Sequence, residues 1–310
     1  MTAAIEAIDL VKTYPGDVQA VKGVSFEVQG GEAFGLLGPN GAGKTTTIGM
    51  LNTSVKPTSG RAMLGGFDVA LDPLGTRAIS SVVFQDPVVD RPLTGRRNLM
   101  LHLKLWGVPR DDGLARLEEL STVVGLADFL DRPVATYSGG QRRRLEIVRA
   151  LLSAPRVLFL DEPTVGLDTR VRHDLFDVIG TLRDRTGVTI LMTTHYLEEA
   201  ERLCDRLAVI DAGTIVACDT PTNLLAMVGP DVVELRVDEP EPAVRELTRA
   251  GLAGDDIVVI GTTVTASLRG VSPSHLQELL AQQGITLRSF TTRPATLDDV
   301  YLRLTGKAFS

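Results

Sequence analysis

The sequence predicts an α/β fold built on buried parallel strands, with an inserted helical subdomain, followed by a small α+β unit. Three observations predict it. Short apolar runs, VLFL at 157–160 and VTILM at 188–192, have the length of strands covered on both faces. A third run, EAFGLLG, leads directly into a glycine-rich loop and then a helix-forming stretch, KTTTIGMLN. Beyond Gly229–Pro230 the pattern changes, and strands and helices follow in β-α-β-β-α-β order, the ferredoxin-like arrangement.

The chain has 310 residues, long enough for one large domain and a small one. Apolar residues make up 44% and charged residues 23%, an ordinary globular composition. The net charge of -7 argues against a nucleic-acid grip driven by bulk charge, so no nucleic-acid partner is expected. Cys204 and Cys218 have no metal-ligand spacing and fit buried thiols in a reducing compartment. Glu6 and Asp9 interrupt the N-terminus where a signal peptide needs apolar residues. No apolar run approaches the ~18 residues of a membrane span. A soluble, cytosolic chain is expected, with any membrane role exercised through a partner.

The stretch GPNGAGKTTT fits G-x-x-x-x-G-K-[ST], with Gly38, Gly43, Lys44 and Thr45 at the defining positions. Strand, glycine loop and helix is the setting this motif requires. Glycines let successive N–H groups turn inward as an anion nest, and the helix end adds partial positive charge. Gly38, Pro39, Asn40, Gly41, Ala42, Gly43, Lys44, Thr45 and Thr46 therefore form the candidate phosphate cradle. Lys44 would bridge β- and γ-phosphates, and the Thr45 hydroxyl would ligate Mg²⁺.

Further along, SVVFQD ends a strand-like run in Gln85, which can bridge metal and water. The segment from about 86 to 137 carries Leu99, Leu103 and Trp106, then Leu114, Leu117 and Leu120, at helical spacing. It is expected to be the helical insert, with Trp106 in its core. In YSGGQRRRLEIVRALLSAP, Ser138 is placed to cap a helix from about Gln141 to Ser153. Gly139 and Gly140 expose N–H groups beside that helix end, a second candidate anion site completed by Gln141. Arg142 and Glu146 stand at i, i+4 and could pair. The three arginines suit a solvated or intradomain face better than a phosphate contact.

The run RVLFLDEPT ends a buried strand in Asp161–Glu162, at the end where such folds hold ligands. Asp161 would hold Mg²⁺ directly or through water. Glu162 projects the other way along the strand and could polarise the attacking water. His195 follows the run VTILMTT at another strand end and can reach a γ-phosphate.

GPNGAGKTT, FQD, YSGGQRRRLEIVRAL, LFLDEPTVGLD and MTTH, in that order, resemble the nucleotide-binding subunit of an ATP-binding-cassette (ABC) transporter. The resemblance covers about residues 4–225. It implies that SGGQ acts in trans on ATP held by a partner's phosphate loop. It implies that Asp168 is an aspartate at the dimer interface and that Tyr14 stacks on adenine. It implies that the insert and the Gln85 loop receive a short helix of a separate membrane permease, in a groove that Trp106 could join instead of the core. The ending RPATLDDVYLRLTG resembles ATPases of ABC-2-type drug and antibiotic exporters. The implied organisation is a cassette at 1–228 and an accessory unit at 229–310, peripheral at the cytoplasmic face of the membrane. A soluble ABC ATPase acting on ribosomes or DNA is the alternative; relatives of that kind carry two cassettes or a long coiled-coil insert. Another is a module whose C-terminal unit senses a ligand.

Overall fold

The computed structural model describes residues 3–251, 257–268 and 270–309. Two compact units divide the chain, residues 1–215 and 216–310.

The first unit opens with β1 (Ala3–Tyr14) and β2 (Val18–Gln29), then β3 (Ala33–Leu37) and α1 (Lys44–Leu51). Next come β4 (Ser59–Leu64), β5 (Phe67–Asp68), α2 (Pro73–Ala78) and β6 (Ser80–Val83). The insert contributes α3 (Gly95–Leu105) and α4 (Arg110–Val123), followed by α5 (Gly139–Leu151). The chain then alternates through β7 (Val157–Asp161), α6 (Thr169–Thr186), β8 (Thr189–Thr194), α7 (Leu197–Leu203) and β9 (Arg206–Asp211). The division between units falls inside β10 (Thr214–Asp219).

Two sheets result. The antiparallel one runs β2-β1-β4-β5. The other runs β10-β9-β3-β8-β7-β6, and β3 pairs parallel with β8 and β9, as β7 does with β6 and β8. Every residue of β3, β7 and β8 is buried, which is why these strands are apolar or threonine runs rather than alternating ones, broken only where β7 ends in Asp161. Phe26 of one sheet stacks on Phe34 of the other at 5.2 Å within a shared apolar core. In a parallel sheet all carboxyl ends lie on one side. The phosphate-loop segment after β3, Gln85 after β6, Asp161 of β7 and His195 after β8 are thereby brought together.

In the insert, Leu99, Leu103, Leu117 and Leu120 are buried, as their spacing predicts. Trp106 corrects the core expectation. It caps the C-terminus of α3, is 49% exposed, and stacks on His102 at 4.6 Å. At the end of a helix the indole has neighbours on one side only.

The second unit contains α8 (Pro221–Val228), β11 (Asp231–Val237), α9 (Pro240–Arg249), β12 (Ile257–Ile260) and β13 (Thr263–Ser267). It closes with α10 (Pro273–Gln282), β14 (Leu287–Pro294) and α11 (Leu297–Thr305). Its four strands form an antiparallel sheet in the order β12-β13-β11-β14. Val233, Leu235 and Val237 of the sheet pack on Ala243 and Leu247 of α9 and on Leu276 and Leu280 of α10. Residues 252–256, within the stretch expected to run β-α-β-β-α-β, lie outside the described residues. Helix α8 belongs to this unit, ahead of the change of pattern at Gly229. Its last carbonyls explain this, since Met227 O accepts from Arg303 and Val228 O from Ser267.

Candidate active site

The loop between β3 and α1 needs glycine at two points for different reasons. At Gly38 a side-chain carbon would come within 2.3 Å of the Ile210 carbonyl oxygen. Gly43, the residue preceding α1, has φ +103°, and a carbon there would meet the Ala20 carbonyl at 2.5 Å. Among the described residues no side chain caps this helix end. Lys44 is 4% exposed, and its Nζ donates to the carbonyls of Gly38 (2.7 Å) and Pro39 (3.1 Å). The same nitrogen lies 3.3 Å from Glu162 Oε1. Burial lowers the Lys44 pKa from its ordinary value, opposed by Glu162 and Asp161. A buried cation thus sits beside an uncapped helix end, a setting that favours an anion.

At the end of β7, Asp161 Oδ1 accepts from the Thr45 hydroxyl (3.1 Å) and from the Thr193 hydroxyl (2.6 Å). Glu162 does not continue the strand alternation. Its φ is +44°, in the left-handed region, so the side chain is re-aimed rather than flipped. Such a conformation costs on the order of 1–3 kcal/mol and persists only where neighbours over-determine it. Here the Glu162 N–H donates to Thr193 Oγ1 at 2.9 Å. The carboxylate is held between Lys44 and His195, whose Nδ1 lies 3.2 Å from Oε2 without an aligned hydrogen bond.

Lys44, Glu162 and His195 line a cleft of about 710 Å³ that also receives Tyr14, Asn40, Gly41, Gly43, Thr45, Thr46 and Gln85. The Tyr14 hydroxyl is 3.5 Å from Thr46 Oγ1, and Lys12 Nζ lies 5.0 Å from its ring centre. Gln85 stands two residues beyond the end of β6, in an exposed loop rather than on the strand. It also lines a second cleft, of about 290 Å³, together with Gly139. Ser138, Gly140, Gln141 and Asp168 line neither cleft. Ser138 and Gln141 cap α5 reciprocally, Gln141 N–H to Ser138 Oγ at 3.2 Å and Ser138 N–H to Gln141 Oε1 at 2.9 Å. Asp168 caps α6 by accepting from Val171 N–H at 3.0 Å. A single chain therefore assembles the phosphate loop, Gln85, Asp161, Glu162 and His195, while of SGGQ only Gly139 shares a cleft with Gln85.

A metal here would meet hard oxygen donors. The Thr45 hydroxyl and the Asp161 carboxylate stand next to each other beside the loop, a set that fits Mg²⁺ completed by phosphate oxygens and water. Among the described residues no cluster of three His, Cys, Asp or Glu is built to hold a metal.

Several residues escaped sequence reasoning. Arg143, rather than Arg142, pairs with Glu146, at 3.2 Å and fully inside the unit. Arg142 turns back instead to the Tyr137 carbonyl at 2.6 Å. Three successive arginines on one helix point in different directions, and only packing decides which is inside. Thr193 is unremarked in sequence because threonine is ordinary in a strand. Glu199 of α7 is buried against the Thr164 hydroxyl, and burial raises its pKa to about 7.

The fold and this cluster define an ATP-binding cassette. Residues 21–165 match the family described as ABC transporter. The daunorubicin/doxorubicin resistance ATP-binding protein DrrA of Streptomyces peucetius is 41% identical, over 98% of this chain and 93% of the relative. The linearmycin resistance ATP-binding protein LnrL of Bacillus subtilis is 34% identical, over 98% of both chains. The Nod factor export ATP-binding protein I of Paraburkholderia xenovorans is 40% identical, over 98% of both chains. Among solved structures, an ATP-binding subunit of an ABC transporter superposes with a TM-score of 0.65 at 30% identity, covering 74% of this chain and 94% of that one. A cassette in its ADP conformation gives 0.65 at 26% identity, covering 74% and 95%. The chain belongs to the ABC transporter family, as one of its ATP-hydrolysing ATP-binding subunits. Among the described residues no helix is long and apolar enough to cross a membrane.

Proposed function

We propose that this chain powers export of a drug-like, antibiotic or lipid-like compound through a separate integral membrane permease, from the cytoplasmic face. The observation that carries the reading is the convergence of Lys44, Glu162 and His195 on one cleft at the strand ends. Lys44 neutralises the β- and γ-phosphates while its carbonyl contacts keep the loop folded around them. Tyr14 offers its ring to the adenine. Thr45 and Asp161 would hold Mg²⁺, with Gln85 beside them, and that ion would neutralise phosphate oxygens. Glu162 accepts the proton of the attacking water, and His195, next to it, donates toward the γ-phosphate.

Ser138, Gly139, Gly140 and Gln141 lie outside the cleft, which supports their acting on a nucleotide held by a second cassette, either another copy or a paralogue. Asp168 would face that partner. The permease would seat a short helix in the groove of about 400 Å³ lined by Phe84, Val88, His102 and Trp106. The unit at 216–310 has its own core, and dimer contact is its proposed role. The names of the relatives, drug resistance and Nod factor export, support a small-molecule cargo.

The test is to isolate tagged Glu162→Gln chain from membranes with Mg-ATP. Nucleotide retention, co-isolation of one integral membrane protein and hydrolysis reduced about 10²-fold are expected. Wild-type hydrolysis, or purification without a membrane partner, would overturn the reading.

A further inference from the structure

The buried Arg143 guanidinium has five N–H donors, and each finds an acceptor. Nε donates to Pro163 O at 2.5 Å. Nη1 donates to Phe84 O at 2.5 Å and to Glu146 Oε2 at 3.2 Å. Nη2 donates to Asp161 O and to Glu162 O, each at 3.2 Å. Glu146 uses its other oxygen to accept from the Val88 N–H at 2.7 Å.

These partners fall in two groups. Asp161, Glu162 and Pro163 are the three residues centred on the left-handed Glu162. Phe84 and Val88 bracket the loop that presents Gln85. Arg143 and Glu146 themselves sit on the first turns of α5, the helix that begins at SGGQ. One buried ion pair therefore fastens three pieces of backbone, and none of its bonds goes to the phosphate loop itself. A pair kept only for stability needs no such distribution, since burying charges is often no better than burying apolar side chains.

We propose that Arg143 is a positioning residue for hydrolysis. With Glu146 it holds Glu162 in its left-handed conformation and sets Gln85 and Glu162 relative to the SGGQ helix end. Movement of α5 or of the Gln85 loop is thereby transmitted to Glu162. The Glu162 peptide is clamped from both sides, by Thr193 at its N–H and by Arg143 at its C=O. This inference rests on the assignment of Glu162 as the group that accepts the proton from water.

The experiment uses the full-length chain as Arg143→Lys, Glu146→Gln and Glu162→Gln. Turnover at saturating Mg-ATP, affinity for a fluorescent ATP analogue and thermal unfolding are measured for each. Lysine keeps the charge but offers three donors from one point and cannot serve acceptors spread over a plane. Arg143→Lys should lose kcat by about 10- to 10²-fold, because small misplacement of catalytic groups is that expensive. Its nucleotide affinity should stay within about twofold, since the phosphate loop is untouched. Glu146→Gln should fold normally and lose kcat by about three- to tenfold. If Arg143→Lys fails to fold, Glu146→Gln decides. Unchanged kcat in a folded variant, with Glu162→Gln inactive, overturns the positioning role alone. So does a loss of kcat and affinity in equal step with a collapsed melting temperature, which marks a purely structural pair. Glu162→Gln turning over at the wild-type rate would instead sink the assignment of Glu162.

Discussion

Helices α1 and α5 both present an N-terminus near the chemistry, yet they are finished differently. The end of α1 has no side-chain cap among the described residues, lies at a cleft, and has the buried Lys44 as its first residue. The end of α5 is closed by its own residues, with Ser138 and Gln141 satisfying each other's N–H groups. Ser138 is exposed, whereas a side chain at Gly140 would strike Val171 at 2.5 Å. Both ends carry the partial positive charge of a helix N-terminus. Only the first combines that charge with open donors, a cation and shelter from water. The difference teaches that α1 can hold an anion by itself. On the proposed reading, the end of α5 contributes only when a second cassette delivers the phosphate.

Removing the cation should break the comparison most sharply. Lys44→Ala leaves Glu162 buried without its partner and α1 without its charge. Loss of ATPase activity and of most nucleotide affinity is expected, read by phosphate release and equilibrium binding. Unchanged turnover would refute the division of labour between the two helix ends.

Next in size is Glu162→Gln, which keeps the shape and removes the proposed base. Turnover should fall by about 10²-fold or more while ATP binding survives. Accumulation of a larger ATP-bound species, seen by light scattering, should accompany the arrest.

Ser138→Arg sharpens the comparison from the other side. ATP binding by the single chain should stay near normal, because the α1 site is intact. Mixed with Lys44→Ala chain, it should regain ATP-driven association that neither variant shows alone, since one composite site escapes both changes. A drop in affinity of the Ser138→Arg monomer as large as that of Lys44→Ala would contradict action in trans.

The smallest effect concerns the scaffold beneath the first site. Burial raises the Glu199 carboxyl from 4.5 to about 7, so the folded chain holds this proton more tightly than the unfolded one. Stability from this group is complete below pH 4.5 and is lost as pH rises through about 7. Glu199→Gln should melt higher than wild type above pH 7 and converge with it toward pH 4.5. Parallel melting curves across that window would remove Glu199 as the cause.

Much of the site was legible because it is written in local patterns. A phosphate loop is contiguous, and its glycines, lysine and threonine are recognisable from spacing alone. Asp161 and His195 were found because each ends an apolar run, and parallel strands gather their ends. Gln85 was found as a residue but misplaced on the strand, which stops at Val83. The long β1–β2 hairpin, with its register shifts, was not anticipated, because bulges interrupt the alternation that would have announced it. The boundary between the units was placed at Gly229 by a change of pattern, whereas the contacts of α8 draw it into the second unit.

What the sequence determined by itself is the set of candidate groups and the order in which strands deliver them, since periodicity, glycine spacing and strand-end carboxylates are properties of short segments. What only the tertiary structure decided is how those groups are held. Glu162 points at Lys44 and His195 because its backbone adopts φ +44°, a state no local propensity of glutamate favours. Thr193, 31 residues away, and Arg143, 19 residues away, supply the hydrogen bonds that hold it there. Likewise Arg143 is buried and Arg142 is not because the carbonyls of Phe84, Asp161, Glu162 and Pro163 converge on one face of α5. Such convergence joins residues remote in sequence, and a one-dimensional pattern carries no term for it.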